Sequence, residues 1–255
     1  MHTMRDFGKR MECFAMRVIT LDCAADIGRA AGEAFVQTVL RKPNAVLGLA
    51  TGATPLPTYA YMADACKTGK VSFKDVSTFN LDEYCDLPKT HKNSYYSFMF
   101  ENLFSKIDVD PDNVHFLNGN APDDRAESAR YAAEIEAAGG IDIQFLGIGR
   151  NGHIAFNEPS DRFTNDAFKV QLTDSTIEAN SIYFDDVPMP HYAMTMGIGS
   201  IMRARKIILV ATGKSKAEAV RAMVCGEIDP HCPASILEAH PDCTVYLDPD
   251  AASLL

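Results

Sequence analysis

Short apolar runs recur along the chain at Ala45–Ala50, Val76–Leu81, residues 141–146 and Lys206–Ala211, and the stretches between them carry amphipathic helical spacing. A run of about six apolar residues is too short for a core helix and suits a strand buried on both faces. Helices are predicted over Ala24–Leu40, Pro55–Cys66, Ser94–Phe104, Asp123–Ala138 and Ser215–Val224, with Gly69 and Gly139–Gly140 as stops, and a last strand near Thr244–Leu247. Strands separated by whole helices cannot pair as hairpins, so they must lie parallel through crossovers. The predicted fold is α/β: a single-domain, doubly wound, mostly parallel sheet with helices on both faces, Rossmann-like in plan. No Gly/Ser/Pro-rich linker and no internal repeat divides residues 16–255, and residues 1–15 read as an extension or a remnant of cloning.

Charge and cysteine usage narrow the partners. A net charge of −10 with no basic stripe argues against nucleic acid, and no run is long enough to span a membrane. Seven irregularly spaced cysteines without a C-x-x-C pair point to reduced thiols and the cytoplasm. Cys225, His231 and Cys232 form one short cluster without a second ligand pair, which makes a poor zinc site.

Open α/β sheets bind ligands at the carboxyl ends of their strands, so the residues that follow each run carry the functional signal. After the first run, Thr51-Gly52-Ala53-Thr54-Pro55 joins strand to helix and is either a plain capped turn or an anion cradle. After the second come Asp82 and Glu83, which face opposite ways in an extended chain; one can be a base and the other structural. The third run empties into Gly147-Ile148-Gly149-Arg150-Asn151-Gly152-His153, with Glu158 and Pro159 close behind. These glycines match a dinucleotide fingerprint, but Pro159 leaves no room for the helix that would hold a pyrophosphate. A histidine beside amide and carboxylate groups suits acid/base chemistry instead. After the fourth run, Thr212-Gly213-Lys214-Ser215-Lys216 places two cations at a helix start, where they oppose the helix dipole unless an anion offsets them. Ile208 stands where a P-loop needs its first glycine, which removes the nucleotide reading. Together these ends suit a small phosphorylated sugar.

In order along the chain stand LGLATGATP, FNLDEY, SYYSFM, NGNAPD, LGIGRNGHIAFNEP and ATGKSKAEAV. From about Met16 to the C-terminus the chain closely resembles the glucosamine-6-phosphate deaminases (isomerases). The related 6-phosphogluconolactonases share the fold and glycine turns, but their equivalent segment runs from GHT toward SLFP without the Asn-Glu-Pro ending. The resemblance implies that glucosamine 6-phosphate and water give fructose 6-phosphate and ammonia, without metal or organic cofactor. It makes Asp82 the base that moves a proton from C2 to C1 and His153 the proton carrier for ring opening, with Glu158 and Asn151 orienting the imidazole. It assigns Thr51, Gly52, Ala53, Thr54 and Lys216 to the substrate and its phosphate, and a lid to residues of about 160–181.

Four departures from the family pattern qualify this. Ile182 stands where relatives place a phosphate-binding arginine, which leaves Arg162 as a candidate substitute. Asn151 replaces an aspartate found in some relatives. Ala53, where Gly-Gly-Thr is commoner, resembles the galactosamine-6-phosphate deaminases, so that substrate and a non-catalytic sugar-phosphate-binding relative stay open as alternatives. Asp161, Phe168 and Val170 occupy positions that bind an allosteric effector in hexameric relatives, so a monomer or small homo-oligomer is expected.

Overall fold

The computed structural model describes residues 16–182 and 184–255; the predicted extension at 1–15 lies outside the described residues. The chain runs through β1 (Arg17–Thr20), α1 (Ala24–Arg41), β2 (Val46–Leu49), α2 (Leu56–Lys67), β3 (Ser77–Asn80) and β4 (Asp82–Tyr84). Then come α3 (Tyr95–Asn102), β5 (Val114–His115), α4 (Asp124–Ala137), β6 (Ile143–Leu146), β7 (Phe168–Gln171) and α5 (Asp174–Ser181). The last elements are β8 (Tyr192–Thr195), α6 (Ile198–Met202), β9 (Ile207–Ala211), α7 (Ala217–Cys225) and β10 (Cys243–Leu247).

Seven strands form one sheet in the order β1-β10-β9-β6-β2-β3-β5, and every pairing in it is parallel. After β2 the chain steps outward to β3 and β5, then returns to place β6 on the other side of β2. That reversal opens a crevice between the carboxyl ends of β2 and β6, where a doubly wound sheet binds its ligand. The middle strands β2, β6 and β9 are buried along their whole length. Phe145 at their centre meets Phe35 of α1 and Tyr59 of α2 at ring-centroid distances of 6.3 and 6.4 Å. Burying a phenylalanine of this kind contributes roughly 1.5–3 kcal/mol.

Two of the predicted helices start at a capping side chain. The Ser94 hydroxyl accepts from Ser97 N at 3.0 Å, and the Asp123 carboxylate accepts from Arg125 N at 2.9 Å and Ala126 N at 3.1 Å. The predicted helix from Ser215 opens instead with a tight turn over Lys214–Lys216 before α7 begins.

A second sheet departs from the sequence prediction. Strands β4, β8 and β7 pair antiparallel in that order, and the polar stretch after Ser160 supplies both β7 and α5. Tyr84, Leu87, Phe156, Leu172, Met189 and Ala193 form a separate small core against it. Its strands β4 and β7 carry polar residues and lack the apolar run that marks a strand buried on both faces.

Candidate active site

The β2 turn is held from behind. Tyr59 donates its hydroxyl proton to Ala50 O at 2.5 Å and accepts from Ala50 N at 3.1 Å, which fixes the strand end before the chain turns at Gly52. Gly52 has φ +96°, a conformation glycine adopts without strain. Thr51 and Thr54 line an open cavity of about 830 Å³ at the crevice between β2 and β6; Gly52 and Ala53 are exposed at the tip and do not line it.

The neighbouring carboxylates on β4 separate as strand alternation requires. Asp82 lines the cavity, and its Oδ1 accepts a short hydrogen bond from the Thr195 hydroxyl. Burial pushes the Asp82 carboxyl up to about 7, against the opposing pull of Thr195, the Phe156 N–H and His153. Glu83 turns away: its Oε1 accepts from Tyr84 N and Tyr95 N and its Oε2 from Tyr96 N, each at 2.9 Å. It closes the first turn of α3, whose amides have no partner within the helix. Burial raises its carboxyl too, although those three amides favour the charged form.

After β6 the chain makes no helix over residues 150–158, so the dinucleotide reading has no structural support. Gly149 N donates to His153 O at 2.8 Å and Gly152 N to Gly149 O at 3.1 Å. The His153 ring lies against Gly149, where an added Cβ would come 2.2 Å from the imidazole, and Gly152 has φ +84° with Cys232 packed on it. His153 Nδ1 is 3.3 Å from Glu158 Oε1, close enough to pair although not aligned for a full hydrogen bond. Asn151 reaches the imidazole only indirectly. Its amide donates to Glu158 Oε2 at 2.6 Å and its carbonyl oxygen accepts from His153 N at 3.2 Å, so it acts through the carboxylate and the backbone. Burial raises the Glu158 carboxyl, but His153, Asn151 and Thr176 together outweigh it and hold the group below the ordinary glutamate range.

Opposite charge stands at the β9 end. Lys216 lines the cavity, and burial, reinforced by Arg150, lowers its ammonium below the usual lysine range. Arg150 lines the same cavity, although sequence reasoning passed over it between the glycines of the turn. Among the described residues neither cation has a carboxylate within ion-pair distance. The turn before Lys216 is only partly an open cradle, because Gly213 N already donates to both oxygens of Asp248 at 3.0 and 2.9 Å. Arg162 does not line the cavity, and neither does Ile182, which is 75% exposed after α5. Thr176 and Glu178 of α5 do line it, as do Tyr95 and Ser215. Among the described residues no group of three or more His, Cys, Asp or Glu could hold a metal ion, and no helix is long and apolar enough to cross a membrane.

A parallel sheet whose carboxyl edge holds a carboxyl poised near neutrality, a histidine–glutamate pair and two cations without counter-ions is built as an enzyme for proton transfer on a small anion. The chain belongs to the family of glucosamine-6-phosphate isomerases and 6-phosphogluconolactonases, whose model matches residues 21–246. Glucosamine-6-phosphate deaminase from Thermoanaerobacter pseudethanolicus is 46% identical over 241 residues, covering 94% of this chain and 95% of its own. The enzyme of that name from Hahella chejuensis is 49% identical over 241 residues, covering 94% and 92%. A solved monomeric glucosamine-6-phosphate deaminase of the NagB superfamily superposes with a TM-score of 0.90 at 43% identity, covering 94% of this chain and all of that one. The 6-phosphogluconolactonase from Trypanosoma brucei has a TM-score of 0.72 at 18% identity and shares the fold.

Proposed function

We propose that this protein is a glucosamine-6-phosphate deaminase that uses Asp82 as its base and His153 as its proton carrier. The observation that carries the reading is the meeting of Asp82, His153 with Glu158 paired behind it, Lys216 and Arg150 around one cavity, although they come from three different segments. In the proposed reaction His153 moves a proton at the ring oxygen as the sugar opens, with Glu158 supporting the charged imidazole. Asp82 then takes the proton from C2 and returns it at C1. The resulting imine is hydrolysed by water to ammonia and fructose 6-phosphate. A carboxyl near 7 suits both halves of the transfer, because it can accept and release a proton at neutral pH.

Thr51, Thr54, Ser215, Lys216 and Arg150 form the proposed phosphate end; Gly52 and Ala53 shape its turn. Arg150 takes the place that Arg162 was expected to fill. Thr176 and Glu178 on the far wall support a role for residues 160–181 as a lid over bound sugar. The same reading places the enzyme in the cytoplasm as a monomer or small homo-oligomer without a metal or organic cofactor.

The direct test is ammonia release by purified protein offered glucosamine 6-phosphate and galactosamine 6-phosphate in parallel. Turnover is expected with the glucosamine compound, in keeping with relatives of that name at 46–49% identity. Faster release from the galactosamine compound would overturn the substrate, and tight calorimetric binding of either compound without release would overturn the activity.

A further inference from the structure

Asp82 and Thr195 are direct cross-strand partners between β4 and β8, so their side chains meet on one face of the small sheet. Both are buried, and the Thr195 hydroxyl donates to Asp82 Oδ1. The same hydroxyl oxygen accepts from Phe156 N at 3.1 Å. Phe156 follows Ala155, which has φ +51°, a left-handed backbone that L-residues avoid and that here turns the next amide toward Thr195. One hydroxyl thereby joins β4, β8 and the turn that carries His153.

We infer that Thr195 is a positioning residue that holds Oδ1 of Asp82 as an acceptor and leaves Oδ2 as the oxygen that exchanges the proton with substrate. A threonine hydroxyl has one proton to give. Since Phe156 N–H occupies the hydroxyl oxygen as a donor, that proton must point at a different acceptor, and Asp82 is the acceptor present. Protonating Oδ1 would weaken this bond, whereas protonating Oδ2 keeps it. Among the described residues no side chain donates to Oδ2, and the Phe156 N–H that bonds the Thr195 hydroxyl also favours the ionised Asp82 carboxylate. The inference rests on the deaminase reading of the cavity and adds to it a residue that does not touch the sugar.

Its signature is a pH profile. The groups around Asp82 are His153 on the turn, Glu83 on its own strand, and Tyr84, Tyr95 and Tyr131 nearby, while β8 brings no charged side chain. Replacing Thr195 by valine leaves all of these in place and removes a hydrogen bond that favours the ionised carboxylate. The acid limb of kcat for ammonia release should then move up by about one pH unit, with roughly a fivefold loss of kcat at pH 7 and an unchanged KM. Thr195→Ser, which keeps the hydroxyl, should restore the parent limb. An unmoved limb in Thr195→Val overturns the inference, and so does a serine variant shifted as far as the valine one. Thr195→Ala gives the same reading should the valine variant not fold, since it removes the hydroxyl without filling its space. The parent protein is assayed first: no ammonia from the parent would overturn the deaminase reading, whereas an active parent with an unshifted valine variant would overturn the role of Thr195 alone.

Discussion

At the end of the cavity that holds His153, each polar side chain is tied to another: Asn151 to Glu158, Glu158 to the imidazole, Asp82 to Thr195. At the end that holds Lys216 and Arg150, two cations share space without a counter-ion among the described residues. Under the proposed roles, the difference follows from what each end must do. Groups that move protons have to be aimed before the substrate arrives, because a misplaced acid or base loses rate steeply. Groups that bind an anion can wait for it, since the ligand brings the missing charge and repays the repulsion between the cations. Burial, reinforced by that repulsion, lowers the Lys216 ammonium, and a bound dianion should raise it again.

The sharpest way to break this contrast is at Asp82. Asp82→Asn keeps the shape and removes the base, so kcat for ammonia release should fall by about 10²–10⁴-fold while KM stays close to the parent value. A mainly KM effect would place Asp82 at the binding end. Lys216→Met should show the reverse, with a loss of roughly tenfold or more in kcat/KM carried by KM, as expected for a charge-assisted contact of about 1.5–3 kcal/mol. Titration of the unmodified enzyme sharpens the same division. With Asp82 pushed up to about 7, kcat/KM should fall roughly tenfold per pH unit below that value, because the protonated carboxyl cannot act as base. A profile flat between pH 5 and 8 would contradict the assignment.

The smallest effect separates the two carboxylates of β4. Because the folded-state value of Asp82 lies above the unfolded one, the folded protein holds that proton more tightly. Its contribution to stability therefore declines as pH rises from about 4 through 7. Asp82→Asn should accordingly melt no lower than the parent at pH 8. Glu83→Gln puts an amide donor against backbone donors at the start of α3 and should cost about 1 kcal/mol, seen as a lower melting temperature with kcat retained. Equal melting temperatures for the two variants would mean that the carboxylates are not divided as described.

Much of this was visible in the residues. Strands buried on both faces and amphipathic helices leave strong periodic signals, so the parallel sheet, its helices and the alternation that parts Asp82 from Glu83 could be read directly. His153 and Glu158 could be placed because a short turn confines them to one strand end. The antiparallel sheet could not be read, since β4 and β7 are short, carry polar residues and lack the apolar run that marks β2 and β6. Arg150 stood in plain view inside a glycine turn, but nothing local says which way such a side chain points. The indirect route from Asn151 to the imidazole was not legible either, because spacing brings residues near one another without choosing among the atoms they offer.

The bond between Asp82 and Thr195 spans 113 positions of the chain. A contact of that range forms only after a long loop has closed, and the entropy of closing it must be overcome before the contact contributes. A nascent chain that has built β2, α2 and β3 thus carries Asp82 without its partner strand, and chemistry waits on the arrival of β8. Recovery of activity during refolding therefore reports on long-range assembly rather than on early helix formation.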